Sequence, residues 1–104
     1  MIARVWKAKA NASSVDEYVR HFTDHVAPSL AAVSGYVGSQ ILCNPGLDPT
    51  DIVVVTWWSS LDAIHGFAGS DIGRAVIDPE ARRVLVSCDE SVAHYTVVAE
   101  HPAR

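Results

Sequence analysis

Two histidines and one arginine carry the side chains in this sequence that are best suited to chemistry. His25 and His65 fall on the apolar faces of predicted helices, and an imidazole can accept or release a proton near neutral pH. Arg4 lies on an apolar side of the first predicted strand, where a cation needs a partner. These residues are therefore candidates for a base and for a cationic binding group.

Each candidate also has a structural interpretation. His65 precedes Gly66 and could lie at a helix edge with water on one side. His25 precedes Pro28 and could bond the carbonyl groups that a helix break would expose. Arg4 could lie near a sheet edge and extend its guanidinium to water. The sequence leaves both interpretations open for all three residues.

Aromatic side chains could line a pocket beside these groups. They are Trp6, Phe22, Tyr36, Trp57, Trp58 and Phe67. Trp57 and Trp58 are neighbours in a predicted strand, so their side chains point to opposite faces of the sheet. At most one of these two tryptophans is therefore expected to contact a ligand.

No motif for a bound metal or nucleotide cofactor is present. His21 and His25 are four residues apart on one helix, a spacing that can chelate a metal, but no HExxH arrangement accompanies them. The glycines are too scattered to form a dinucleotide-binding loop. Cys43 and Cys88 match no metal or redox spacing and are expected to be free thiols. Neither a metal nor a cofactor is predicted.

The composition favours one domain, residues 1–104, that associates with a second subunit. Hydrophobic residues make up 49% of the chain and charged residues 19%, so burial against a partner is expected; a core rich in Val and Ala is the alternative. The net charge of −4 argues against a nucleic-acid partner. No segment is long enough to span a membrane, and no secretory signal is recognised, so a cytoplasmic location is expected.

Hydrophobic periodicity and turn residues predict the elements along the chain. Ser14 and Glu17 form a predicted capping box at the start of the first helix. A break is expected at Pro28, because proline cannot continue a helix without a kink, and Gly38 suggests a bulge in the second strand. The predicted strands span residues 2–8, 36–43, 52–58 and 91–99. The predicted helices span residues 14–33 and 60–69, the second with Ser59 or Ser60 as its cap and Gly69 as its stop, and a further helical piece starts at Asp78 or Pro79.

This order of elements, βαββαβ, predicts an α+β, ferredoxin-like fold with a four-stranded antiparallel sheet and the helices on one face. The third strand is apolar throughout and is interpreted as buried on both faces. Trp6, Val54, Trp58 and Tyr95 then cannot all point toward the helices, so the open face needs a cover. A second copy in a closed two-fold dimer supplies it, so a homodimer is expected, with His94 at its interface.

Four segments of the sequence resemble one known family. They are MIARVW (residues 1–6), GYVG (35–38), WWSSLDAIHGFAGSD (57–71) and VAHYTV (92–97). The third segment is the most specific, and AVIDPE (75–80) follows it at the expected place. With nearly the whole chain covered, the sequence is identified as resembling the antibiotic biosynthesis monooxygenase domain family, a group of dimeric α+β barrels.

The resemblance implies a dimer with a shared barrel and a ligand pocket in each subunit between sheet and helices. Some members are cofactor-independent oxygenases of aromatic phenols. If this chain catalyses the same kind of reaction, Arg4 would hold the phenolate and His25 or His65 would be the base. We expect an aromatic, phenolic or quinol, polyketide-like substrate and no cofactor. A non-catalytic dimeric domain that binds a small molecule or acts in stress responses is the alternative.

Other members of the family degrade haem, and this sequence departs from their pattern at three positions. They place a haem-ligating histidine shortly after the second helix, where this chain reads Arg74-Ala-Val-Ile77. They also carry an asparagine on the first strand and a tryptophan in the second helix. The corresponding regions here contain Arg4 and Trp6, and Phe67. Haem degradation is therefore not expected.

Overall fold

The computed structural model describes residues 1–103, and its sheet is organised around the first strand. The strands are β1 (Ile2–Ala10), β2 (Tyr36–Cys43), β3 (Thr50–Trp58), β4 (Ser87–Cys88) and β5 (Ala93–Thr96). β1 pairs with β3 on one side and, at different points along its length, with β5 and β4 on the other. β2 pairs with β3 as an outer strand, and every pair is antiparallel.

Helices cover one face of this sheet. They are α1 (Val15–His21), α2 (Ala27–Ala31), α3 (Leu61–Ala68) and α4 (Pro79–Val84). Tyr18, Leu30, Ile64 and Val84 from these helices join Trp58 of the sheet in one buried hydrophobic cluster. The α+β, ferredoxin-like architecture predicted from the sequence is confirmed. In the described residues, no helix is both long and apolar enough to cross a membrane.

The two faces of the sheet differ sharply in burial. Along β3, alternate residues are buried on the helix side: Thr50, Ile52, Val54, Thr56 and Trp58. The intervening residues, among them Val53, Val55 and Trp57, are only half-buried. The interpretation of this strand as buried on both faces is therefore wrong for the chain by itself.

Three of the four residues expected to crowd the sheet point to the same side. Trp6 is the direct partner of Val54 across β1 and β3, and residues paired in this way share a face. Trp58 follows on that face, so all three lie on the helix side. Tyr95 pairs with Ala3, lies on the open face and is 61% exposed. The open face is apolar even so, because Val53, Val55 and Trp57 also lie on it.

The first helical region continues past its proline rather than breaking there. A 3-10 turn (Ala12–Ser14) leads into α1, and a π-helical turn (Phe22–Val26) joins α1 to α2. Pro28 lies in the first turn of α2, directly after the π turn, and has no N–H to donate to the carbonyl groups of that turn. The wider π turn accommodates the proline ring that an uninterrupted α-helix would exclude. The predicted break at this proline is thus replaced by a change of helix type.

Helix ends follow the sequence signals in part. The Ser60 hydroxyl accepts a hydrogen bond from the N–H of Ala63 at 3.1 Å, which caps α3 as expected. The side chain of Ser14 makes no such bond at the start of α1. Glu17 pairs instead with Arg83 of α4 at 2.8 Å. The predicted capping box is therefore wrong, since its glutamate is engaged in a contact between helices.

The last strand is shorter than predicted and is preceded by a separate two-residue strand. A single strand was expected over residues 91–99, whereas β4 and β5 pair with different parts of β1. Between them, the N–H of Val92 donates to the carbonyl of Gly73 at 2.9 Å, and Ser91 forms a bridge with Arg74. Ser91 and Val92 therefore pair with the segment after α3, and the last strand is divided at this point.

Candidate functional site

A cavity of about 210 Å³ lies between the helix-covered face of the sheet and the helices. Its wall is largely apolar and is completed by the segment that leads into α4. The lining residues are Arg4, Trp6, Tyr18, Phe22, His25, Val26, Ser29, Leu30, Val54, Thr56, Phe67, Ala75, Val76, Ile77, Asp78, Ala81 and Val92. The cavity thus combines a cation, a histidine, a carboxylate and several aromatic rings.

Arg4 is the most unusual residue of this wall because it is only 5% exposed. Its Nη1 donates to the carbonyl of Ile72 at 2.7 Å, and its Nη2 donates to the carbonyl of Arg74 at 2.9 Å. Its guanidinium carbon lies 5.7 Å from the centre of the Phe67 ring, within range of a cation–π contact. Since β1 is a central strand, the alternative of a sheet-edge arginine extended to water is wrong.

The charge of Arg4 is not balanced by any carboxylate among residues 1–103. Burial lowers the pKa of its guanidinium below the ordinary value, with no acidic neighbour to oppose that effect, yet an arginine side chain stays protonated in proteins. A buried cation without a counter-ion is costly. Such a cation in a cavity wall is chemically suited to binding an anion.

Part of the Arg4 guanidinium remains available to a ligand. The group carries five N–H donors, and its nitrogens make three contacts, to Ile72, Arg74 and His94. In the described part of the chain, no acceptor lies within hydrogen-bond distance of Nε. The remaining donors can therefore bind a ligand oxygen in the cavity.

His94 lies directly opposite Arg4 across β5 and β1. Its Nε2 is 3.0 Å from Nη1 of Arg4. Burial first, and then the positive charge of Arg4, lower the pKa of the His94 imidazole below its ordinary value of 6.5. Because Arg4 can only donate, Nε2 is assigned as the acceptor and Nδ1 as the protonated nitrogen. The expectation that His94 belongs to a subunit interface on the open face is wrong, since it shares the helix side with Arg4.

His25 is the candidate base that the structure places in the cavity wall. Its ring centre lies 5.4 Å from that of His21, whose Nε2 is 2.9 Å from Oδ2 of Asp78. Burial by itself would raise the pKa of Asp78, but hydrogen bonds from the N–H of Ala81 and from His21 lower it overall. A carboxylate and two imidazoles therefore adjoin one another at this end of the cavity.

His65, the other candidate base, lies outside the cavity. It is exposed on α3, and its Nδ1 is 2.9 Å from the carbonyl of Gly69 at the end of that helix. Gly69 has a φ of 83° and terminates the helix as predicted. His65 thus occupies the helix-edge position that the sequence left open.

The predicted aromatic residues divide into two groups. Trp6, Phe22 and Phe67 line the cavity. Trp58 is fully buried beside Tyr36 and Phe67, with ring centres 5.4 and 5.6 Å away, and does not reach the cavity wall. Trp57 lies on the open face, where its Nε1 donates to Gln40 at 2.6 Å. Neither tryptophan of the pair, nor Tyr36, lines the cavity.

Two lining residues with ionisable side chains, Tyr18 and Asp78, were not among the predicted site residues. Tyr18 is 3% exposed, and burial, followed by the charges of Asp78 and Cys88, raises the pKa of its hydroxyl. Tyr18 precedes His25 by one heptad, a spacing that already placed the two on nearly the same helix face. The sequence indicated Asp78 only as one of two possible starts of a helical piece, and its Oδ1 caps α4 by accepting a hydrogen bond from the N–H of Ala81 at 2.8 Å. No group of three potential metal ligands occurs in residues 1–103.

A ferredoxin-like sheet with a buried cation and aromatic side chains in one cavity defines a class of α+β domains suited to binding small molecules. Within that class, residues 1–78 match the family model for antibiotic biosynthesis monooxygenases. The chain belongs to this family. No curated protein sequence matches the chain significantly.

Solved structures with the same fold include oxygenases and haem degraders. A mutant of MhuD with two manganese protoporphyrin IX molecules per active site is 21% identical, with a TM-score of 0.70 over 99% of this chain and 100% of that one. A mutant of SnoaB, a cofactor-independent oxygenase from Streptomyces nogalater, is 18% identical, with a TM-score of 0.69 over 98% and 97%. The haem degrader MhuD from Mycobacterium tuberculosis with two haems bound is 20% identical, with a TM-score of 0.66 over 98% and 100%. At these identities the likeness shows the fold.

Proposed function

We propose that this protein is a cofactor-independent monooxygenase of a small aromatic phenol or quinol. The observation that carries the proposal is the buried guanidinium of Arg4, which faces an aromatic cavity without a carboxylate partner. A phenol must lose its proton before it can react with oxygen, and a fixed cation favours the resulting anion. Membership of the monooxygenase family supports the same reaction class.

The cavity residues divide the work between binding and proton transfer. Arg4 holds the phenolate oxygen, and His25 accepts the phenolic proton. Trp6, Phe22 and Phe67 contact the ring and exclude water. The phenolate passes an electron to O2, and the two radicals combine in a new C–O bond. His25 returns this proton to the ring-bound peroxide. The same ring carbon then loses its hydrogen as a proton, while its C–O bond becomes a carbonyl and the O–O bond breaks. One oxygen atom therefore stays on the ring, and the other leaves with the two protons as water.

The volume of the cavity favours a substrate with one or two rings. A closed apolar cavity of about 150 Å³ holds benzene in another protein, and the cavity here measures about 210 Å³. Drug-sized ligands occupy pockets of roughly 300 Å³ or more. A quinol such as 1,4-naphthalenediol fits this volume and is a suitable probe for the phenolic or quinol, polyketide-like substrate class expected from the resemblance.

Haem degradation is not excluded by the fold, because MhuD shares it. The expectation that rested on three departures from the haem-degrading pattern is therefore weaker than the sequence suggested. The absence of a histidine in Arg74-Ala-Val-Ile77 and the cation in the cavity wall still favour the smaller aromatic ligand. A haem titration followed by absorption spectroscopy separates the two: a shifted Soret band with saturable binding would favour haem.

We also infer a homodimer formed through the open face of the sheet. Val53, Val55 and Trp57 lie half-buried on this face, and Leu42 and Tyr95 are more than half exposed. A contiguous apolar surface of this kind marks an association site. A two-fold axis through it would cover both copies with the same residues. The cavity lies on the other side of the sheet and would stay open in the dimer.

Oxygen uptake tests the proposed activity. Protein supplied with 1,4-naphthalenediol should consume O2 faster than the diol alone. Arg4→Met should lose most of that rate because the phenolate loses its cation, and His25→Gln should lose a similar share because the base is gone. Arg82→Met removes an exposed arginine and is the matched control. Saturable quenching of tryptophan fluorescence without oxygen uptake would show a binding domain instead.

A further inference from the structure

The geometry points to His94 as the positioning residue that keeps Arg4 a free cation and so makes the cavity selective for aromatic monoanions. This inference rests on the proposed function and specifies the charge of its ligand. His94 lies outside the cavity wall. It therefore acts through Arg4 and does not touch the ligand.

The position of His94 fixes one edge of the guanidinium. Nη1 of Arg4 lies between the carbonyl of Ile72 at 2.7 Å and Nε2 of His94 at 3.0 Å. Nη2 donates to the carbonyl of Arg74 at 2.9 Å. The three acceptors come from two separate parts of the chain, the loop after α3 and strand β5. Together they orient the planar group and leave its Nε–H and one N–H of Nη2 without an acceptor among residues 1–103, in a side chain that lines the cavity.

The three acceptors share a property that decides the chemistry, because none of them carries a negative charge. A carboxylate at residue 94 would bond Nη1 equally well but would neutralise the guanidinium. A neutral imidazole satisfies the same donor and leaves the full positive charge in a poorly solvated site. The chain therefore positions Arg4 without cancelling its charge, which is the arrangement expected of an anion receptor.

The ligand class follows from the remaining donors and from the wall. A guanidinium recognises a carboxylate or phenolate oxygen through two N–H groups. The rest of the ligand must be apolar and flat, since Trp6, Phe22 and Phe67 line the cavity. One negative charge matches one uncompensated cation, and a dianion would bring a second negative charge into a largely apolar wall that already contains the Asp78 carboxylate. The structure thus favours monoanions with one or two aromatic rings.

A binding experiment without oxygen separates this inference from the proposed catalysis. The probes are 1-naphthoate and its uncharged isostere 1-naphthamide, titrated anaerobically by calorimetry. The measured quantity is the ratio of the two dissociation constants. Native protein should bind the anion at least about tenfold more tightly, because a hydrogen bond to a charged group is much stronger than a neutral one.

Variants at one residue test the role of His94. His94→Gln keeps a neutral acceptor and should retain the ratio within about threefold, whereas His94→Asp should lower it to near one by pairing with Arg4. His94→Leu leaves Nη1 of Arg4 with one acceptor fewer, and its ratio of dissociation constants should lie between those of the Gln and Asp variants. His101→Leu, in the exposed tail, is the control.

Three results would overturn the inference. They are a native ratio near one, an unchanged ratio in His94→Asp, or an equal loss in His94→Gln and His94→Asp. Far-UV circular dichroism establishes that each variant is folded, and the Gln and Asp variants decide the matter if the Leu variant unfolds. Failure of the oxygen-uptake assay would leave these ratios unaffected.

Discussion

At the residue scale, the central feature is a cation that the protein buries without a carboxylate. Most buried charges are paired, because the loss of hydration otherwise costs several kcal/mol per ion. Arg4 is held by two backbone carbonyls and one imidazole, so its orientation is fixed while its charge remains. A site of this kind is less stable empty than occupied by an anion, which is the property required of a binding site.

Lysine at residue 4 should bind an aromatic anion less tightly than arginine does. Arg4→Lys keeps a positive charge but loses the planar fork that reaches Ile72, Arg74 and a ligand together. We expect 1-naphthoate binding to weaken by about tenfold, while 1-naphthamide binding changes little. Calorimetry with both ligands measures the difference. Equal weakening for both ligands would show that the guanidinium of Arg4 shapes the cavity by packing and does not bind the anion specifically.

The unfolding free energy should depend on the protonation of His94. Its pKa is lowered in the folded protein by burial and then by Arg4, so the unfolded chain binds a proton more readily than the folded one. Stability is then complete above the ordinary pKa of 6.5 and decreases as the pH falls below it. Urea unfolding at pH 7.5, 6 and 5 measures the trend.

The same series on His94→Gln isolates this contribution, since glutamine does not titrate. We expect the pH dependence of the variant to be shallower between pH 6.5 and 5. Asp78 has the opposite charge. Burial by itself would raise the pKa of its carboxyl group, but hydrogen bonds from the N–H of Ala81 and from His21 lower that pKa overall. Its contribution is present above its ordinary pKa of 3.8 and is lost only at lower pH. Identical slopes for the two proteins would refute the assignment to His94.

At the element scale, local signals predicted the elements well and their interruptions poorly. The cap at Ser60, the stop at Gly69 and the bulge near Gly38 follow from residues a few positions apart. The division of the last strand depends on Val92 bonding Gly73, a pairing between distant segments that leaves no local trace. The π turn before Pro28 was also not predicted, because a proline signals an interruption of the α-helix but not whether the helix breaks or widens there.

For the candidate site, the sequence predicted five of the residues that line the cavity but not the contact between Arg4 and His94. Arg4, His25, Trp6, Phe22 and Phe67 were named from residue type and spacing, and the structure brings them to one cavity. The pairing of Arg4 with His94 requires the register of β1 against β5, which residue periodicity does not determine.

The junction between α3 and the second strand depends on a close approach at Gly35. This glycine has a φ of 90°, and a Cβ placed on it would meet the Cβ of Ala63 and approach Oγ of Ser59 at 2.8 Å. Gly35→Ala should therefore destabilise the fold by about 1–3 kcal/mol. Gly46 has a φ of 94° but open space around it, so Gly46→Ala tests the backbone strain alone. Gly38 has neither a positive φ nor a close neighbour, so Gly38→Ala is the control for both effects.

The three alanine variants separate steric contact from backbone strain. The order of stability in urea should be Gly38→Ala, then Gly46→Ala, then Gly35→Ala as the least stable. A Gly35→Ala variant no less stable than Gly46→Ala would show that α3 moves away from the glycine at little cost. Chemical unfolding followed by tryptophan fluorescence gives all three values.

At the scale of the whole molecule, the sheet separates the ligand cavity from the surface proposed for dimerisation. Its helix side carries the cavity, and its open side carries Val53, Val55 and Trp57. The high apolar content of the sequence was read as a sign of a partner, and the open face is where a partner would bind. Of the four residues that were not expected to point toward the helices together, Tyr95 lies on the open face, whereas Trp6, Val54 and Trp58 lie on the helix side.

A charge on the open face should dissociate the inferred dimer. Val55→Lys places an ammonium group at the centre of the sheet, where burial against a second copy would remove its hydration. We expect native mass spectrometry to show a dimer for the native protein and a monomer for this variant. Val98→Lys, at a site that is 92% exposed, is the control and should remain dimeric. A native monomer would contradict the inferred association.

The most direct test of the proposed activity follows the fate of the oxygen atoms. Under an atmosphere of isotopically labelled 18O2, the protein should convert 1,4-naphthalenediol into a hydroxynaphthoquinone that carries one labelled oxygen atom, with the second atom in water. Mass spectrometry of the product and a peroxide assay give both answers, and Arg4→Met should abolish the label. An unlabelled naphthoquinone formed together with hydrogen peroxide, at a rate that the protein does not change, would contradict the proposal of a monooxygenase.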